Sequence, residues 1–445
     1  MKPLLPRNHG LTGTSPIFFN RRRVFLGVKI VEAIVLWCFG VALAQSAVLD
    51  DEVLFVPNGT HPVVGSRFSV LGDFQSGLLT AANSCKLTVA KSDKFVDGSL
   101  GQGTVSVIKQ IAGCDIYKPE LGSTPAARGL VTVRLWRRIA PKAPVPDALA
   151  RSFFMSLGSE ATDYPDIEFN SPDDGGILTW GPQGATVGQA HQVQQILFAV
   201  EKELPGLIDR AFETEAAAVR LLAKTTQDTT AAAQVLAIRA ATGRAAIWRA
   251  GFKVLGEDAR VRAIYDRAMT TKGTAGIPEA VEDFYRSYWA HGWCPTEADL
   301  GFFVDRAVQI TVYQAYTDQA AKDVIEVETA SGAIFTPAQR RRAISANFWA
   351  GKPIWVGDRL ARDVAYYIDV IPRAELTNET LEKLVAKRGA AQRSTPELLN
   401  DEVRRWSARL GVSASAYGLT DQPAAVPFGL GGEPSICAAR RAGPE

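Results

Sequence analysis

Histidine is scarce: the chain has four in 445 residues, and only His61, His191 and His291 lie beyond the first 44. That excludes a histidine-rich metal centre. His291-x-x-Cys294 is a lone pair of potential ligands with no second pair beside it, short of what a zinc site needs. No G-x-S-x-G elbow and no P-loop occurs. The glycines of "LGQGTVSV" come without a lysine to hold phosphate. Net charge is also low, at +2, so no overall basic field argues for nucleic acid. Cofactors, metals and nucleic acid are therefore not expected. Long apolar runs are lacking as well. The longest sits near the N-terminus, from Ala33 to Leu43, and is too short for a convincing membrane span.

That run belongs to an export signal over residues 1–44. Arg21, Arg22 and Arg23 precede it, and Ala42-Leu43-Ala44 supplies a small-x-small cleavage site. Arg22-Arg23-Val24-Phe25-Leu26 resembles a twin-arginine signal. The expected location is the periplasm or the exterior of a bacterium, with no stable membrane span once the signal is removed. Residues 1–44 carry six of the 49 Lys and Arg and one of the 47 Asp and Glu, so the remainder has a net charge of −3. Four of the five cysteines remain, Cys85, Cys114, Cys294 and Cys437. Cys85 and Cys114 can pair, but spacing does not settle the connectivity.

The chain as a whole is apolar enough, at 47%, to build a large core. Residues 45–139 read as a small β-rich module, because "EVLFV", "RFSVLG", "KLTVAKS", "TVSVIKQIAG" and "LVTVRLW" are short runs with β-branched residues. "APKAPVPD", Ala140 to Asp147, reads as a proline-rich linker. Helical patterns then dominate to about Leu410, with strong helix formers in segments such as "PGLIDRAFETEAAAVRLLAK" and "TEADLGFFVDRAVQITVYQAY". From Tyr417 onward Pro, Gly and Ala dominate, which predicts a disordered tail over 417–445.

Asp147 is placed to cap a helix bearing Leu149, Phe153 and Leu157 at helical spacing. Glu160 follows that helix almost at once. An acid there opposes the helix dipole, so something must compensate it. Then comes "DDGGILTWGPQGATVGQ", from Asp173 to Gln189, dense in turn residues for so apolar a chain. One carboxyl at a semi-apolar helix end and another on a solvated turn are what glycoside hydrolysis uses: one acid protonates the leaving oxygen, the other works on the opposite face.

Asp173-x-x-Gly176-x-x-Thr179-x-Gly181 resembles the active-site hairpin of phage-type lysozymes, in which that pattern follows a helix ending in the catalytic Glu. The resemblance covers roughly 145–370. It implies an α+β, mainly α fold: a lysozyme-like helical catalytic domain over 145–372 with a short active-site β-hairpin, behind the β-rich module and followed by a helical extension over 373–416. It implies Glu160 as general acid, Asp173 as the carboxylate that helps place water, and Thr179 as the hydroxyl that holds it. Asp174 competes with Asp173 for its role and, with Trp180 and Gln183, is a candidate for binding substrate. "FFVDRAVQ", Phe302 to Gln309, resembles the buried helix of the wider lysozyme and chitosanase group. Thirteen positions separate Glu160 from Asp173, more than in phage-type lysozymes, so Asp163, Asp166 and Glu168 stay open as alternative acids. The implied substrate is a polysaccharide of aminosugars, peptidoglycan first and chitosan second. The third possibility is a lobe that binds cell wall or a partner without catalysis.

Asp305, inside "FFVDRAVQITV", reads as a structural acid paired with an arginine. Arg340, Arg341 and Arg342 read as a solvated helix face.

Overall fold

Asp147 does cap the helix expected after it: its carboxylate accepts from the Ala150 amide at 2.8 Å, and the helix runs Ala148–Glu160. In this computed structural model residues 50–57, 60–160, 162–171, 176–188, 191–273, 276–310, 314–332, 334–347, 353–372 and 395–442 are described. The expected export signal, Asp173, Asp174 and residues 373–394 of the expected extension lie outside them.

The chain is mainly helical, with three small antiparallel sheets among the described residues. The β-rich reading of 45–139 is corrected. Only Val53–Phe55, Val63–Val64, Ser99–Leu100 and Val131–Thr132 are strands there, and helices Val70–Ser84, Gln102–Gly113 and Val133–Ile139 dominate. In "TVSVIKQIAG" the buried residues are Thr104, Val107, Ile108, Ile111 and Ala112, which is helical spacing. The packed stripe overrides the β-propensity of its residues. Ser69, which reads as a strand residue, instead caps a helix, and Thr132 both ends a strand and caps one; they accept from Leu71 N and Leu135 N.

This segment is not a separate module. One hydrophobic core joins Leu54 and Phe55 to Phe154, Tyr417 and Leu430. The expected linker is fixed in place: Ala143 O accepts from Trp136 Nε1, and Pro146 O from Arg151 Nη1. Nor is 417–442 disordered. Ala298 N donates to Thr420 O and Glu297 N to Gln422 O, and a helix spans Ser435–Ala442. Tyr417, Leu419, Leu430 and Cys437 are buried. The low-complexity composition hid these few anchors.

Both disulfides form, Cys85–Cys114 and Cys294–Cys437. The second closes a separation of 143 residues. In the chain-entropy account a loop that long contributes roughly 3–5 kcal/mol. The paired substitution Cys294→Ser and Cys437→Ser is expected to lower unfolding free energy by that order in urea titrations and to make the C-terminal helix protease-sensitive. Among the described residues no helix is long and apolar enough to cross a membrane.

The helix Glu297–Ile310 packs directly on Ala148–Glu160. Gly301 sits at the crossing. A Cβ there would touch Ser152 Oγ of the facing helix at 3.5 Å and would lie 2.8 Å from Leu419 Cδ1 and 2.9 Å from the Tyr366 ring, so any larger residue must displace those two side chains. This close approach aligns the end of the Glu160 helix with the charged interior described next.

Candidate active site

Glu160 ends its helix, and the compensation its position requires is Arg362. Arg362 Nη1 donates to Glu160 Oε1 at 2.6 Å. The glutamate side chain is 25% exposed and the arginine 3%. The other edge of that guanidinium grips Asp305, Nε at 3.2 Å from Oδ2 and Nη2 on Oδ1. Asp305 also receives Arg359, and Asp363 receives both Arg359 and Arg306. Burial alone would raise the Asp305 carboxyl, but the two guanidiniums outweigh it and hold it well below the usual carboxylate range. Asp305 is thus the paired structural acid its sequence suggests. The reading of Arg340 to Arg342 as solvated is corrected: Arg341 and Arg342 are buried, bonded to Asp299 and Glu402. Arg340 stacks over Trp293 with its Cζ 4.0 Å from the ring centroid.

Beyond Glu160 comes a three-stranded antiparallel sheet, Ile167–Phe169, Leu178–Trp180 and Ala185–Val187 in that order. Glu168, Thr179 and Thr186 are directly opposite one another across it, so they share one face. Ile167, Trp180 and Ala185 share the other and are buried. The turn Gly181–Gly184 closes with Gly184 N on Gly181 O at 3.1 Å, and both glycines have positive φ. Only glycine takes that backbone cheaply. A Cβ at Gly184 would lie 3.8 Å from Thr179 Cγ2 and 4.0 Å from Glu160 Oε2. The glutamate carboxylate and the Thr179 methyl group thus both border this bare stretch of backbone. Thr179 Oγ1 accepts from Asn170 Nδ2 at 2.7 Å, and the same amide donates to Gly176 O. That leaves the threonine hydrogen free to donate outward.

No family model, curated protein or solved structure is significantly similar to this chain.

The structure thus places Glu160 and Thr179 both beside Gly184. It takes Trp180 and Gln183 away from substrate. Trp180 is fully buried, its Nε1 donating to Tyr164 O at 2.7 Å and its ring packed edge-on against Phe252 and Tyr265. It is a core residue, because strand alternation points it opposite to Thr179. Gln183 is 8% exposed, and its amide N–H binds the Tyr265 hydroxyl. Asp173 and Asp174 lie outside the described residues. Of the alternative acids, Asp163 is engaged by Ser66 and Tyr164 N, and Asp166 by Asp163 N. Glu168 is exposed on the Thr179 face. Among the described residues no three His, Cys, Asp or Glu side chains converge to hold a metal. Arg362 and Asn170 were not evident beforehand. The spacing of Arg359 and Arg362 around Asp363 was the only hint, since it places charge on a helix that also carries Leu360 and Ala361 inward.

Behind the sheet, the Tyr164 hydroxyl donates to Asp266 at 2.5 Å. Burial pushes the Asp266 carboxyl up to about 6, against the smaller opposing pulls of Tyr164 and Arg262. The folded protein therefore keeps a proton that the unfolded chain releases between about pH 4 and 6. Stability from this group is present at the acid end and is lost as pH rises through that window, by up to roughly 3 kcal/mol. Asp266→Asn is expected to remove that part of the slope, read as the difference between native and variant urea midpoints at pH 4, 5, 6 and 7.

Proposed function

We propose that this chain is an exported glycoside hydrolase that cuts polymers of aminosugars, with peptidoglycan glycan strands as the first substrate. The observation that carries the reading is the convergence of the Glu160 carboxylate and Thr179 on the bare backbone of Gly184. The resemblance of the 173–181 segment to phage-type lysozymes gives the reaction class. Arg362 occupies Glu160 Oε1, so Oε2, the oxygen nearer Gly184, is the one left to serve a general acid. That oxygen delivers the proton to the leaving glycosidic oxygen. Thr179 holds a water that attacks the anomeric carbon as the bond to the leaving oxygen breaks, and the second carboxylate takes that water's proton. The second carboxylate comes from Asp173 or Asp174, with Glu168, in register with Thr179, as the third candidate. Chitosan on the same site is the alternative substrate.

A second reading has its own observation. The Arg362 bond makes Glu160 the outer member of a buried ion network, which suits a structural acid in a lobe that binds polymer without cutting it. Reducing-end release by the purified unit Ser46–Glu445, assayed on peptidoglycan and chitosan in parallel, separates the two. Release from peptidoglycan supports the hydrolase and its first substrate, and release from chitosan alone moves the reading to that polymer. Binding without release from either makes the non-catalytic lobe correct.

A further inference from the structure

Around the outer edge of the same sheet lies a depression of about 420 Å³, lined by Phe169, Arg239, Thr242, Ala245, Ala246 and Arg249. Phe169 belongs to the edge strand and shares the face of Ile167, opposite Thr179. The pocket is therefore a second site, distinct from the Glu160 face. Thr242, Ala245, Ala246 and Arg249 follow one another along one stripe of the helix Thr242–Glu257. Its small residues make the floor and its arginine the rim.

The two arginines are held but not neutralised. Arg249 Nη1 donates to Ile167 O at 2.9 Å, and Arg239 Nη1 donates to Asn170 O. Each bond takes one of the five N–H donors of a guanidinium and fixes its plane beside the strand. Arg249 also lies flat enough over Phe169 to place its Cζ 5.0 Å from the ring centroid. Neither arginine has a carboxylate partner among the described residues. On the same helix Arg244, five positions before Arg249, is bonded by both Nε and Nη2 to Glu215. Arg260 and Arg267 on the next helix are likewise paired. The depression thus presents two oriented, unneutralised guanidiniums beside an aromatic edge, a hydroxyl and a small apolar floor.

We infer that this pocket binds a sugar ring that carries a carboxylate. Guanidinium donors in fixed planes match carboxylate geometry. Phe169 and the two alanines take the apolar C–H face of a pyranose, and Thr242 takes a ring hydroxyl. The volume suits a ligand of one or two sugar units, at the small end of the roughly 300–1,000 Å³ range for such sites. The identity of the ligand as a saccharide rests on the glycosidase reading; the anion site does not. Both a lactyl-bearing aminosugar, as in peptidoglycan, and a uronic acid carry the required group. Cationic chitosan is repelled.

The test is equilibrium binding to the Glu160→Gln protein, so that cleavage plays no part. The probes are a muramic-acid-containing disaccharide, a galacturonate disaccharide, N,N′-diacetylchitobiose and inorganic phosphate. Binding of either carboxylated sugar, at least tenfold tighter than the neutral sugar and phosphate, is expected. Whichever of the two binds tighter names the source. Arg239→Gln and Arg249→Gln keep an N–H donor for the strand carbonyls while removing charge. Each is expected to weaken carboxylated-sugar binding about tenfold with an unchanged thermal midpoint. Equal binding by both variants, no preference over the neutral sugar, or matching affinity for phosphate overturns the inference. Failure of hydrolysis in the separate release assay, with this binding intact, overturns only the glycosidase reading.

Discussion

Glu160→Gln is expected to lower reducing-end release by about 10²–10⁴-fold, the usual worth of a positioned general acid, while leaving the fold intact. The amide is nearly isosteric with the carboxyl. It keeps an oxygen for Arg362 Nη1, which now sits 2.6 Å from Oε1, and so preserves the geometry at the helix end. What it loses is the transferable proton on the second atom, the one beside Gly184 and Thr179. The loss should fall on kcat rather than on KM, because the acid acts in bond cleavage more than in binding. A substrate with a leaving group that needs no protonation, such as an activated aryl glycoside, should lose far less. Equal loss on both substrates, or loss accompanied by a fallen thermal midpoint, would identify Glu160 as a structural member of the ion network. Thr179→Val, which keeps shape and removes the hydroxyl, should cost less than Glu160→Gln, since water also finds hydrogen bonds elsewhere.

The helical body was legible because its apolar stripes are regular. The segments 205–224, 228–252, 277–289 and 296–316 each contain the helices their patterns suggest. The site was legible where local chemistry dictates backbone. Asp147 caps, Glu160 ends the helix, and the glycines of the 181–184 turn take positive φ. The N-terminal segment misled for a physical reason. Valine and isoleucine favour strands in isolation, but in Gln102–Gly113 they fall on the one face that meets the core. Trp180 misled differently. An aromatic beside a candidate catalytic threonine is equally compatible with a sugar platform and a core residue until strand alternation is fixed. The pairing register fixes it, and sends the ring inward against Tyr265. The arginines are the least legible of all. Sequence separates Glu160 from Arg362 by 202 positions, and nothing local marks which of the chain's many arginines the fold buries.

That burial carries the largest expected stability effect. Asp363 is fully buried and serves two guanidiniums, Arg306 and Arg359. Asp363→Ala takes from both the carboxylate they share, in a buried place. The expected loss is about 3–5 kcal/mol, a large share of the roughly 5–15 kcal/mol that holds a typical fold. Urea unfolding of purified variants measures it. The loss is not the worth of the ion pair, because it includes the cost of stranding charge. The double substitution Arg306→Met with Asp363→Leu removes the Arg306 charge together with the carboxylate it faces and leaves Arg359 its bond to Asp305. It should therefore be less damaging than Asp363→Ala alone. A double variant as unstable as the single, or a single variant losing under about 1 kcal/mol, would show that the network relaxes or admits water. The two variants share one loss near the site, the Asp363 bond to Arg359. Arg359 steadies Asp305, Asp305 steadies Arg362, and Arg362 holds Glu160. If that chain of bonds positions the carboxylate, reducing-end release measured well below the unfolding midpoint should fall in Asp363→Ala and stay low in the more stable double variant. Release that instead recovers with stability would show that the loss came from unfolding and not from the position of Glu160.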